Sequence, residues 1–203
     1  MPESRPVQVA ADLPGDYFQV RRVSLAGVTQ PLDPLRPLLA LLTFPQFDRL
    51  ESIDLSGSTG LDYSFLVPIH GLRELTLANA GLNDAALANL PKLTMLQRLV
   101  LDGNDIRGTG LTHLSHQPEL IDLSLSHPNL TNLSAENLAE LKPLKRLSLA
   151  GSGLTNAGIK HLANLTNLES LDLRRTKVIA AGIDELKKTL PKCQIEWDGM
   201  QNN

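Results

Sequence analysis

From Leu72 onward a Leu-x-x-Leu-x-Leu frame returns every 24 residues, at Leu72, Leu96, Leu120, Leu144 and Leu168. Read in order, the strand cores are "LESIDLSGSTGL" from Leu50, then "LRELTLANAGL", "LQRLVLDGNDI", "LIDLSLSHPNL", "LKRLSLAGSGL" and "LESLDLRRTKV". A fixed period of this size means one supersecondary unit per repeat. Each unit is too small to bury its own apolar face and is stable only when stacked on its neighbours. The frame therefore predicts a solenoid with one continuous core, and function belongs on a surface because the interior is committed to packing.

Within a unit the apolar spacing changes from two to three and four residues. "LNDAALANL", "IRGTGLTHL", "LTNAGIKHL" and "VIAAGIDEL" carry this shift, the mark of a short amphipathic helix after a strand. Asp84 and Asn156 stand where helix caps are expected. "LDYSFLVPIHGL" is too short and Pro-interrupted for a full helix, which predicts a 3₁₀ or irregular return in that coil. The chain divides into a flexible leader at 1–16 and a repeat domain at 17–197. That domain has an atypical N-terminal capping coil at 17–49 and a capping strand within 190–197, and a tail follows at 198–203. Cys193, Ile195 and Trp197 share one parity in "CQIEW" and are expected to face the core together.

The net charge of −3 argues against a general nucleic-acid binder, which needs a basic excess to neutralise phosphates. The total conceals a split: residues 1–141 carry a net −7 and residues 142–203 a net +4. A single cysteine excludes an internal disulfide, so a reducing compartment is the simpler expectation. No signal-peptide pattern or membrane-length apolar run occurs, and the location expected is cytoplasmic, without membrane association.

These repeats resemble the leucine-rich-repeat proteins over roughly residues 20–197, and the form "LxxLxLxxTxLTNAGIxxLxxLxN" closing on "LPKCQIEW" resembles bacterial members of the ribonuclease-inhibitor-like subclass. The resemblance implies an α/β leucine-rich-repeat solenoid of about seven to eight coils, curved, with a parallel sheet on the concave face and short helices on the convex one. The family pattern places Asn or Cys at the ninth position of each unit. Here only Asn104 matches, with Ser58, Ala80, Pro128, Ser152 and Thr176 elsewhere. Short hydroxyls, water or closer backbone approach must then serve the buried backbone groups.

On a parallel sheet the residues between core leucines point outward. One outward column reads Arg22, Ser52, Glu74, Arg98, Asp122, Arg146 and Ser170, and the next reads Asp54, Thr76, Val100, Ser124, Ser148 and Asp172. Glu74, Arg98, Asp122 and Arg146 alternate in sign on strands about 4.8 Å apart, so they form either a partner-contacting stripe or a self-neutralised ladder. Arg174 and Arg175 make a basic end with Lys145, Arg146 and Lys177, either balanced by Asp172 and Glu169 or offered to an acidic partner. The basic part of such a partner would lie nearer Asp54, Glu74 and Asp102. The candidate partner-binding residues are thus Glu74, Arg98, Asp102, Asp122, Arg146, Arg174 and Arg175.

His113 and His116 have helical spacing but no evident third ligand, so no metal is expected. No Gly-x-Ser-x-Gly elbow, phosphate loop or paired-carboxylate constellation occurs, and neither catalytic residues nor a cofactor are expected. The expectation is a non-enzymatic protein-interaction module that uses its concave strand face, as a monomer or with weak end-to-end self-association. The alternative is a regulatory or sensing domain excised from a larger enzyme or signalling protein.

Overall fold

The computed structural model describes residues 21–27 and 49–199. The expected leader at 1–16 and most of the capping coil at 17–49 lie outside the described residues. Eight strands form one sheet in chain order: β1 (Arg22–Ser24), β2 (Ser52–Asp54), β3 (Glu74–Thr76), β4 (Arg98–Val100), β5 (Asp122–Ser124), β6 (Arg146–Ser148), β7 (Ser170–Asp172) and β8 (Gln194–Glu196). Every neighbouring pair is parallel and every step preserves the repeat register, with Ile53, Leu75, Leu99, Leu123, Leu147 and Leu171 in one row. These six middle residues are at most 2% exposed, whereas the strand residues on either side are exposed or half-buried. That alternation is the period-2 pattern of a sheet with one buried face.

Each strand ends in a turn. At the eighth position of the frame the backbone enters the left-handed region at Gly27, Gly57, Asn79, Gly103, Gly151, Arg175 and Gly199. The turn amide bonds to the following coil, as Gly57 N to Ala78 O and Gly103 N to Ser126 O do. Glycine suits this position because an L-residue with positive φ brings its Cβ against the following carbonyl. Gly103 has a second reason, since a Cβ there would lie 2.1 Å from Asn79 Oδ1.

The returning segments carry α1 (Asp84–Ala88), α2 (Asn132–Leu138), α3 (Asn156–Leu162) and α4 (Ala180–Thr189), with 3₁₀ turns at Tyr63–Leu66 and Thr109–His116. The 3₁₀ return expected after Leu61 is present, and its apolar pair Tyr63 and Leu66 reaches the core. Burial pushes the Tyr63 phenol up to about 12. The segment "IRGTGLTHL" is a correction to the sequence reading: it forms a 3₁₀ turn, with Gly108 at φ 130° immediately before it. The buried core runs unbroken from Leu25 to Cys193, and Ile195 and Trp197 pack against its end. Each buried leucine contributes roughly 1.5–3 kcal/mol, most of it through contacts that only the adjacent coil supplies.

Two expected caps need correction as well. The α1 cap is Asn83, whose side chain accepts from Ala86 N, and the α3 cap is Thr155, which accepts from Ala157 N. Asp84 and Asn156 are the first helical residues and serve the next coil instead. Asp84 accepts from Gly108 N at 3.1 Å and Gly110 N at 2.9 Å, and Asn156 Oδ1 accepts from Ile179 N at 3.0 Å. Asn132 repeats the arrangement, its Oδ1 accepting from Thr155 N at 3.1 Å. The side chains reach across because Gly110, Gly158 and Gly182 leave the space open.

At the ninth position Asn104 is 1% exposed and fully used: Nδ2 donates to Leu77 O and Leu101 O, and Oδ1 accepts from Leu82 N. Ser58 Oγ donates to Leu25 O and Thr176 Oγ1 to Leu173 O, so hydroxyls replace asparagine in those coils. Ser152 departs from that expectation, because its buried Oγ has no hydrogen-bond partner among the described residues.

Candidate functional site

The outward face of the sheet is the surface that the repeat frame leaves for function, and its two halves differ. Arg98, Asp122 and Arg146 occupy adjacent strands in register. Asp122 is shared by both guanidinium groups, with Arg146 Nε at 3.0 Å and Arg98 Nε at 3.8 Å. Glu74 stands beside Arg98 in the register, yet no ion pair joins them. The expected four-residue ladder is therefore a three-residue cluster, and Glu74 is outside it.

Toward β7 and β8 the charges are also paired. Arg174 donates through Nε and Nη2 to the two carboxylate oxygens of Asp172, at 2.9 and 2.6 Å, and lies 3.5 Å from Glu196. That fork holds the Asp172 carboxyl below the usual carboxylate range and raises the guanidinium. Lys145 pairs with Glu169 at 3.0 Å. Asp102 accepts from Ser124 Oγ at 2.8 Å and Ser126 N at 2.8 Å, so its carboxylate ties two coils together. Arg175 is exposed and its backbone amide donates to Asp198. Of the expected candidates, Arg98, Asp122 and Arg146 are brought together. Glu74 lines one groove with these three but is not ion-paired to them, Arg174 and Arg175 adjoin in a separate group, and Asp102 joins neither.

A shallow groove of about 180 Å³ runs over β1–β6, with the Arg98, Asp122 and Arg146 cluster lining one end of it. Its charged walls include Arg22, Glu51, Arg73 and Glu74. None of these four makes a side-chain ion pair or hydrogen bond among the described residues, although Glu51, Arg73 and Glu74 are half-buried. Glu51 and Arg73 were missed as site residues because they precede the strands. The available signal was their place after the first leucine of the frame, where the backbone still runs in the ladder: Arg73 N donates to Glu51 O, and Gln97 N to Arg73 O.

No group of three or more His, Cys, Asp or Glu side chains among the described residues is placed to hold a metal ion. The His113 and His116 rings are tilted, with centroids 6.3 Å apart. Burial raises the Cys193 thiol, the direction opposite to that of an activated nucleophile. No helix among the described residues is long and apolar enough to cross a membrane.

Eight parallel strands in chain order, joined by short helical returns over a leucine core, define an α/β leucine-rich-repeat solenoid. Its structural neighbours are bacterial leucine-rich-repeat proteins. A leucine-rich-repeat protein of Leptospira interrogans is similar over 74% of this chain and 38% of its own, with 26% identity and a TM-score of 0.56. Internalin C2 of Listeria monocytogenes is similar over 90% of this chain and 75% of its own, with 18% identity and a TM-score of 0.58, a likeness of fold. This chain thus spans about two-fifths of the leptospiral protein. The sequence matches no protein-family model and no curated protein.

Proposed function

We propose that this chain is a non-enzymatic protein-interaction module that presents the outward, concave face of its sheet to a protein partner. The observation that carries the proposal is the division of the strands: middle residues buried in one row, flanking residues mostly small or charged and exposed or half-buried along the register. A surface of this kind offers many polar contacts and few aromatic anchors, which fits an interface whose specificity is set by charge. The α-helical returns favour the ribonuclease-inhibitor-like subclass, and the lone free cysteine fits a reducing, cytoplasmic setting.

A photo-crosslinking residue at Thr76 or Ser148, both on the outward face, should yield partner adducts in cell extract. The same residue at Leu133, 55% exposed on α2, should yield none. Adducts from Leu133 alone would move the function to the helical side. A second reading, a regulatory or sensing domain of a larger protein, is favoured by the small share of the leptospiral protein that this chain spans.

A further inference from the structure

Among the described residues, some charged groups on the sheet face have partners within the chain and others have none. Over β4–β8 the side chains neutralise one another: Asp122 between Arg98 and Arg146, Lys145 with Glu169, Arg174 with Asp172 and Glu196. Over β1–β3, Arg22, Glu51, Arg73 and Glu74 face one groove without an ion pair among the described residues. Half-burying a charge weakens its hydration, and these four side chains form no ion pair among the described residues that would restore what is lost. The paired half gains little from a charged visitor, because its internal pairs would have to break first. The groove reaches from that paired cluster at Arg98, Asp122 and Arg146 to an end at Arg22, Glu51, Arg73 and Glu74 that has no such competition.

Resting on the interaction reading above, we infer that the partner is held at the β1–β3 end of the groove, by a segment carrying neighbouring acidic and basic side chains. The acid would meet Arg22 and Arg73, and the base Glu51 and Glu74. Both signs are required because the groove contains both, in adjacent coils: Glu51 in one and the successive Arg73 and Glu74 in the next. At about 180 Å³ the groove is smaller than the roughly 300–1,000 Å³ pockets that take drug-sized ligands, and its charged walls suit the side chains of an extended segment. This placement moves the site away from Arg174 and Arg175, since the Arg174 guanidinium is already paired with Asp172 and Glu196.

The test uses three labelled peptides of equal length, one alternating Glu and Lys, one with Glu alone and one with Lys alone, each spaced by Gly and Ser. Binding to the full chain is followed by fluorescence anisotropy at low and high salt. The alternating peptide should bind in preference to both uniform ones and weaken as salt rises. Arg73→Glu with Glu74→Lys should reduce its affinity at least about tenfold, while Arg174→Glu with Arg175→Glu should leave it within about twofold. Arg22→Glu, at an exposed position, gives a second head-side variant should the first pair fail to fold. Preference for the acidic peptide, lost on changing Arg174 and Arg175, would overturn the inference yet leave a sheet-face interaction standing. Binding of no peptide, or binding indifferent to both sets of changes, would overturn it outright. Crosslinks confined to Leu133 would instead sink the underlying reading.

Discussion

The carboxylate of Asp84 accepts a hydrogen bond from the backbone amide of Gly110, at 2.9 Å and across 26 residues of sequence. The first residue of one helix thereby organises the helical turn of the next coil, where Gly108 N also donates to Asp84. Close approach makes the contact possible: a Cβ at Gly110 would lie 2.5 Å from the Asp84 carbonyl oxygen. Asp84→Ala should cost about 1–2 kcal/mol, in the range of a lost helix cap. Gly110→Ala should cost more, because the two backbones must separate. Urea midpoints of the two variants would check the order.

At the ninth position of the repeat, the same chemistry predicts opposite outcomes in two coils. Asn104 serves Leu77 O, Leu101 O and Leu82 N, so Asn104→Ala leaves several buried groups unpaired and should cost roughly 2–4 kcal/mol. Ser152 is 3% exposed with an unpaired hydroxyl, and Ser152→Ala should fall within about 0.5 kcal/mol of the parent or stabilise it. Equal losses in thermal unfolding would contradict this assignment.

Arg175 occupies the left-handed turn position at φ 56°, where five other coils use glycine. A side chain there costs about 1–2 kcal/mol relative to a relaxed backbone, partly offset by the greater unfolded freedom of glycine. Arg175→Gly keeps the backbone amide that donates to Asp198. It should therefore raise stability by about 0.5–1 kcal/mol, read as a higher urea midpoint. A lower midpoint would mean that the guanidinium itself stabilises the fold.

The Asp172–Arg174 fork sets a pH dependence. The Asp172 carboxyl is lowered mainly by its side-chain hydrogen bonds to Arg174. A lowered folded value means that the unfolded chain takes up the proton first as pH falls. The stabilisation is then present above the ordinary carboxylate value of about 3.9 and lost as pH drops through the lowered one. Carbon-detected NMR titration should show Asp172 protonating below that ordinary value, and Arg174→Ala should move it upward. The stability difference between parent and variant should be present at neutral pH and shrink in acid. A carboxyl resonance indifferent to the substitution would argue that the fork is not formed in solution.

Much of the architecture was legible because the Leu-x-x-Leu-x-Leu frame assigns every strand residue to one face. The register that pairs Glu74, Arg98, Asp122 and Arg146 follows from the 24-residue spacing alone. The 3₁₀ return at Tyr63 was legible from a proline and a short connection. The apolar spacing by itself could not distinguish the 3₁₀ turn at Thr109–His116 from an α-helix, since both bury Leu111 and Leu114.

What the sequence determined by itself is the repeat, the inward row from Ile53 to Leu171, and the identity of the charges on the outward face. Only the tertiary structure decided which of those charges meet. Asp122 takes both arginines while Glu74 takes none, and Asp84 and Asn156 pass over their own helices to the next coil. The physical reason is range. Inward leucines are selected by a transfer free energy that depends on which face they occupy, and a period records that. Ion pairs and caps depend on a few tenths of an ångström of side-chain reach between coils, which no spacing in the sequence specifies.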